Sequence, residues 1–206
     1  MNLPIFLTLS RIFAVPILVV VLLSHVYNSK HQIDDLSIIL ATLIFLGASV
    51  TDYFDGYFAR RRQQITTVGI LLDPIADKLL MSAAFVSLVE LGWVPAWMVV
   101  IIIGRELAIA GLRAIAATQG CNINASELGK IKTVLQVVAI TTIILRNIYF
   151  WLEPISIVTL WLVVIFSLVS AVDYFQKFWK AFDNSAKVVE NSKSVVFKKK
   201  QRDVST

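Results

Sequence analysis

The chain has 206 residues, 57% of them hydrophobic and only 16% charged, with a net charge of +5 and a mean hydropathy of +0.76. Charged residues make up about a quarter of an ordinary soluble domain. The composition therefore excludes a water-soluble globular protein of this size, and the single cysteine, Cys121, excludes an internal disulfide framework.

The apolar residues fall in blocks of roughly 20, enough for a helix to cross the hydrocarbon core of a bilayer. Six such blocks predict an all-α integral membrane protein with six transmembrane helices in residues 1–180, followed by a polar basic tail over 181–206 that is expected to be mobile. The first span covers about 5–25. It contains Arg11 and Pro16, lacks a basic leader and ends in LLSHVYNSK, a poor cleavage site, so it reads as a membrane helix and not as a signal peptide. His25 and His31 follow in a short polar loop without acidic or thiol companions, and read as solvated. The second span, about 36–57, ends in Asp52 and Asp55 and runs into Arg60–Arg62, and the third, about 68–91, opens with Gly69, Asp73 and Asp77. The fourth, about 95–117, carries Arg105, Glu106 and Arg113. The fifth, about 129–149, begins with Lys130 and Lys132, and the sixth covers about 153–176. The aromatics of YFW at 149–151 and YFQKFW at 174–179 read as interfacial belts.

With six spans both termini share a side, and that side carries Arg11, Arg60–Arg62, Arg113, Lys130, Lys132 and the tail, against Lys30 and Arg146 on the other. The positive-inside rule makes the basic side cytoplasmic, giving a multi-pass protein of the bacterial inner membrane. Lys198–Lys200 either press the tail onto anionic headgroups at about 1 kcal/mol per basic residue or serve only topology. No nucleic-acid partner is expected, because nothing folded or aromatic accompanies the tail's charge.

The aspartates demand an explanation. One at a helix centre costs roughly 2.5–3.5 kcal/mol on insertion scales, so cations, a water-filled cavity or both must offset four of them. Asp52 and Asp55 are three apart, and Asp73 and Asp77 four apart, so each pair shares a helix face. Both pairs lie at the cytoplasmic ends of antiparallel helices, and four carboxylates are expected to converge within about 10 Å of that surface. An all-oxygen set without histidine or thiolate suits a hard ion, Mg²⁺, Mn²⁺ or Ca²⁺. Four carboxylates can hold two such ions, an arrangement suited to phosphoryl-group substitution. Gly56 and Gly69, each about a turn from an aspartate, admit either a ligand or a packed neighbouring helix.

Written out, the stretch is Asp52-x2-Asp55-Gly56-x2-Ala59-Arg60-x8-Gly69-x3-Asp73-x3-Asp77, which resembles the signature of the CDP-alcohol phosphotransferase family at every position. The resemblance extends over all six spans. It implies that Asp52, Asp55, Asp73 and Asp77 bind two divalent metals, Mg²⁺ or Mn²⁺, and that Asp77 is also the base for the acceptor hydroxyl. Asp52, Gly56, Ala59, Arg60, Gly69 and Asp73 are implied to form the pocket for the CDP moiety of a CDP-linked lipid, and a homodimer is implied as the assembly.

GRELAIAGLRAIAA at 104–117 and GKIKTVLQ at 129–136 are similar to segments of the bacterial branch of that family that makes phosphatidylglycerophosphate. LPIFLTLSRI at 3–12 resembles its N-terminal motif, with Ile5 where an asparagine is usual. The implied substrates are CDP-diacylglycerol and sn-glycerol 3-phosphate, in contact with membrane lipids. Thr8, Arg11, Arg105, Arg113, Lys130 and Lys132 are the candidates for the acceptor's phosphate, a task for which arginine is suited by its bidentate fork. Basic residues at span ends also serve as plain anchors. An inositol phosphate or phosphatidylglycerol acceptor stays open at this point. A divalent-cation carrier is a further alternative, but its carboxylates belong near the midplane and in both halves of a repeat.

Overall fold

The computed structural model describes the backbone over residues 3–27, 34–62, 67–118 and 127–204, and side chains within 9–24, 34–51, 75–118 and 131–179. Among the described residues there are six α-helices and no strand: α1 (Leu3–Tyr27), α2 (Asp35–Arg62), α3 (Thr67–Glu90), α4 (Ala96–Thr118), α5 (Glu127–Leu145) and α6 (Glu153–Val204), with a 3₁₀ turn at Phe150–Leu152. They fall on the six apolar blocks. The boundary at residue 180 is one of composition and not a helix end, since α6 runs on for 52 residues to Val204.

Two trios of helices build the bundle. In the first, α1 packs broadly on both α2 and α3, which touch each other only sparingly. In the second, α6 packs on both α4 and α5, whose backbones do not approach each other closely among the described residues. The trios join through α2 against α5 and through α3 against α4 and α5. Phe45, Leu80, Phe85, Leu88, Ile102, Ile140 and Ile144 form the fully buried centre.

The outside is as apolar as the inside. Phe13, Val20, Leu43, Val86, Val100, Leu107 and Val134 are all exposed, the pattern of helices whose surroundings are lipid. Phe150–Trp179 is long and apolar enough to cross a membrane by itself. Hydroxyls inside this apolar mass bond back to their own helix: Thr42 to the Ile38 carbonyl at 2.8 Å, Ser49 to Phe45 at 2.8 Å and Thr141 to Val137 at 2.7 Å, which satisfies them without water.

The ends of the helices farthest from the aspartates are closed by specific devices. Gly92, at φ +68°, ends α3: its N–H donates to the Val89 carbonyl and that of Trp93 to Leu88, both at 2.9 Å. This double bond pattern requires a left-handed residue after the helix, where glycine is unstrained. α5 stops at Leu145, short of the 149 expected, because Asn147 turns its amide onto the carbonyls of Ile143 and Ile144 at 3.4 and 3.3 Å. Arg146 reaches across to donate to the Trp93 carbonyl at 3.0 Å and to Ser156 Oγ at 3.5 Å, tying the α3–α4 turn, α5 and α6 together. Replacing Arg146 by Ala should lower the unfolding midpoint in detergent, with roughly 1.5–3 kcal/mol at stake for charge-assisted bonds. kcat measured below that midpoint should be unchanged.

Candidate active site

Thr8, Asp52, Asp55, Gly56, Ala59, Arg60, Gly69, Asp73 and Lys130 lie outside the residues whose side chains are described, and stand as backbone positions on α1, α2, α3 and α5. Their register is informative. Asp55 lies near the end of α2, Asp73 near the start of α3 and Arg11 near the start of α1. At about 1.5 Å per residue all three sit at similar depth, about 9–12 Å from one end of the bundle. Arg11 is buried at 2% exposure. It belongs to α1, which packs on the two aspartate helices, whereas the other basic candidates belong to α4 and α5.

Asp77 is the signature aspartate whose side chain is described. It is half-buried and lines a small cleft between α3, α4 and α5. Lys78, Met81, Ser82 and Phe85 of α3, Ile102, Ile103 and Glu106 of α4, and Thr133 and Gln136 of α5 complete the wall. Asp77, Met81 and Phe85 follow at one-turn intervals, so the cavity runs about two turns into the bundle. It is polar around Asp77, Glu106 and Thr133 and apolar toward Phe85 and Ile102.

Glu106 organises the basic residues beside this cavity. Its Oε1 meets Arg105 Nη1 at 3.3 Å and also forms an ion pair with Lys132 Nζ. Lys132 is 1% exposed, and a buried ammonium without an anion costs several kcal/mol. Its place on α5, one turn before Gln136 and opposite Glu106, provides that anion. Arg105 donates its other Nη to Ser170 Oγ of α6, which fixes the guanidinium plane. Arg113, two turns further along α4, lies over the Tyr174 ring at 5.9 Å from its centroid. It is exposed and does not line the cavity.

The structure thus brings Arg105 and Lys132 together through Glu106, which lines the cavity with Asp77, leaves Arg113 outside that lining and puts Arg11 on the other trio. Ser82, Thr133, Gln136 and Ser170 were not singled out by sequence. The available signal was polar side chains at helical spacing facing the basic stripe, and serine is too common in apolar spans to stand out. Tyr174 corrects the reading of YFQKFW as an interfacial belt. Phe175 and Trp179 are exposed and stacked at 6.1 Å, but Tyr174 is 4% exposed because Arg113 and α4 cover it.

The donors that are described suit a hard cation. Asp77 and Glu106 face the cavity, and no histidine or cysteine lines it. Among the described residues there is no cluster of three or more histidine, cysteine, aspartate or glutamate side chains, so a carboxylate site at Asp77 needs its neighbours on α2 and α3.

Comparison with known proteins gives one consistent answer. The sequence model of the CDP-alcohol phosphatidyltransferase family matches residues 1–169. A Bacillus subtilis protein named CDP-diacylglycerol–glycerol-3-phosphate 3-phosphatidyltransferase is 43% identical over 190 residues, which is 89% of this chain and 98% of that protein. Proteins of the same name from Rickettsia bellii and Haemophilus influenzae are 35% and 37% identical. They cover 88% and 85% of this chain, and 97% and 92% of their own lengths.

Proposed function

We propose that this chain, which belongs to the CDP-alcohol phosphatidyltransferase family, transfers the phosphatidyl group of CDP-diacylglycerol to sn-glycerol 3-phosphate, giving phosphatidylglycerophosphate and CMP. The observation that carries it is a cavity lined by both Asp77, the last residue of the family signature, and Glu106, whose carboxylate pairs with the buried Lys132. A phosphorylated acceptor needs both halves of that arrangement: a base for its hydroxyl and cations for its phosphate.

In this mechanism the acceptor's phosphate is held by Arg105 and Lys132, with Arg113 at the rim and Thr8, Arg11 and Lys130 as further candidates. Its primary hydroxyl reaches past Thr133 toward Asp77. Asp77 takes the hydroxyl proton as the oxygen attacks the β-phosphorus of the CDP-lipid. The bond from that phosphorus to the bridging oxygen breaks, and CMP departs with the electron pair. Asp52, Gly56, Ala59, Arg60, Gly69 and Asp73 supply the CDP pocket. Two divalent ions held by Asp52, Asp55, Asp73 and Asp77 would supply charge neutralisation at the pyrophosphate. The wider setting proposed from hydropathy and charge is six crossings over residues 1–180, a cavity open to the cytoplasm, cytoplasmic termini and an inner-membrane location, and the family resemblance adds a homodimer.

The test is CMP release by the full chain in detergent with Mg²⁺ or Mn²⁺ and CDP-diacylglycerol. sn-Glycerol 3-phosphate should support turnover, whereas inositol phosphate, phosphatidylglycerol and no acceptor should give background. Turnover with one of the others alone discards the substrate assignment, and none with any of them discards the reaction.

A further inference from the structure

One carboxylate oxygen, Glu106 Oε1, contacts both Arg105 and Lys132. Those are the two cations assigned above to the acceptor's phosphate, and the carboxylate meets them as a phosphate oxygen would. The exposure is graded. Glu106 is 26% exposed at its side chain, whereas Lys132 is 2% and Arg105 is 11% exposed. An anion entering from the cavity therefore meets the carboxylate before the cations. The glutamate can turn toward water, and the buried lysine cannot. A buried ammonium at Lys132 is costly without an anion beside it, and the guanidinium stays aimed through its separate bond to Ser170 when its contact to Glu106 is given up.

We propose that Glu106 is a positioning residue that stands in for the acceptor's phosphate: it holds Lys132 and Arg105 together in the empty site and yields them to a phosphate monoester. The inference rests on assigning those cations to the acceptor. Binding is then an exchange of one anion for another, and the cations are already desolvated when substrate arrives. A neutral polyol, which carries no anion, cannot make the exchange. The site would thereby select for a phosphorylated acceptor by occupying itself when none is present.

The sign of one substitution decides the matter. Glu106→Gln keeps the shape but removes the competing charge, so sn-glycerol 3-phosphate should bind roughly five- to tenfold more tightly, the range of a directly coupled pair. The Kd is read by calorimetry on the full chain in detergent. The KM for CDP-diacylglycerol should not move, and kcat should not rise. Glu106→Asp retains the charge but withdraws it by one methylene. It should tighten binding in the same direction by a smaller factor, and it serves if Glu106→Gln folds poorly. In a Lys132→Met background the tightening should vanish. Unchanged or weaker acceptor binding in both Glu106 variants overturns the stand-in role. If Lys132→Met alone leaves acceptor affinity unchanged, the assignment of the basic pair itself fails.

Discussion

Asp77→Asn should reduce CMP release at saturating substrates by roughly a thousandfold, within the range for loss of a general base, while the protein stays folded. Asparagine matches the volume of aspartate but cannot take a proton at neutral pH and is a weaker ligand for a hard cation, so the substitution removes both roles proposed for Asp77 without changing its shape. The side chain is half-buried at the polar end of the cavity, which places it where an acceptor hydroxyl would arrive. The loss should appear in kcat when both substrates are saturating. Raising the acceptor concentration should not rescue it, because Arg105 and Lys132, proposed to hold the phosphate, lie on α4 and α5 and are left intact. Unfolding midpoints for the variant and the parent should agree within a few degrees. A variant that keeps a tenth of the parental kcat would remove Asp77 from the proton transfer.

Lys132→Met and Arg105→Ala should each raise the KM for sn-glycerol 3-phosphate by about 10- to 100-fold, corresponding to charge-assisted bonds of roughly 1.5–3 kcal/mol. The KM for CDP-diacylglycerol should change by less than about twofold. The two sites differ in their side effects. Losing Lys132 leaves Glu106 a half-buried carboxylate without its buried partner, so that variant should also be less stable, and Glu106→Gln in the same chain should restore the stability. Losing Arg105 frees Ser170 Oγ, a smaller loss. Arg105→Lys should rescue little, since an ammonium cannot span Ser170 and a phosphate as a planar fork does. Equal changes in both KM values would show that these residues shape the whole cavity and do not select the acceptor.

Much of this molecule was legible in the sequence, for physical reasons. Apolar blocks of bilayer length dictate helices whatever they pack against, so α1–α4 begin and end within a few residues of the expected spans. α5 ends early because Asn147 turns back onto carbonyls of its own helix and Arg146 reaches across to Trp93, contacts that hydropathy does not register. The continuation of α6 to Val204 escaped notice because a charged tail looks alike whether coiled or helical. The aspartate spacing pointed to chemistry because carboxylates in lipid are costly. The use of Glu106 as a shared counter-charge was less visible: adjacency to Arg105 suggested a local balance, but pairing with Lys132 across 26 positions depends on how α4 and α5 stand. Tyr174 was misplaced for a related reason, since nothing in its local pattern tells that Arg113 covers it.

The division into two trios has a consequence for biosynthesis. α1 gathers α2 and α3, and α6 gathers α4 and α5, so each trio is built from neighbours in the chain. The hub of the first half leaves the ribosome before its partners, and the hub of the second leaves after them. At about 5–20 residues per second the aspartate half can assemble within seconds, while α4 and α5 wait for α6 to draw them together. Lys132 and Glu106 emerge during that wait, and their mutual attraction is available to hold α4 and α5 in register before the last helix arrives. The nascent protein would assemble the half that carries the four signature aspartates first and the half that carries Arg105, Glu106 and Lys132 last, with the turn at Gly92 as the seam between them.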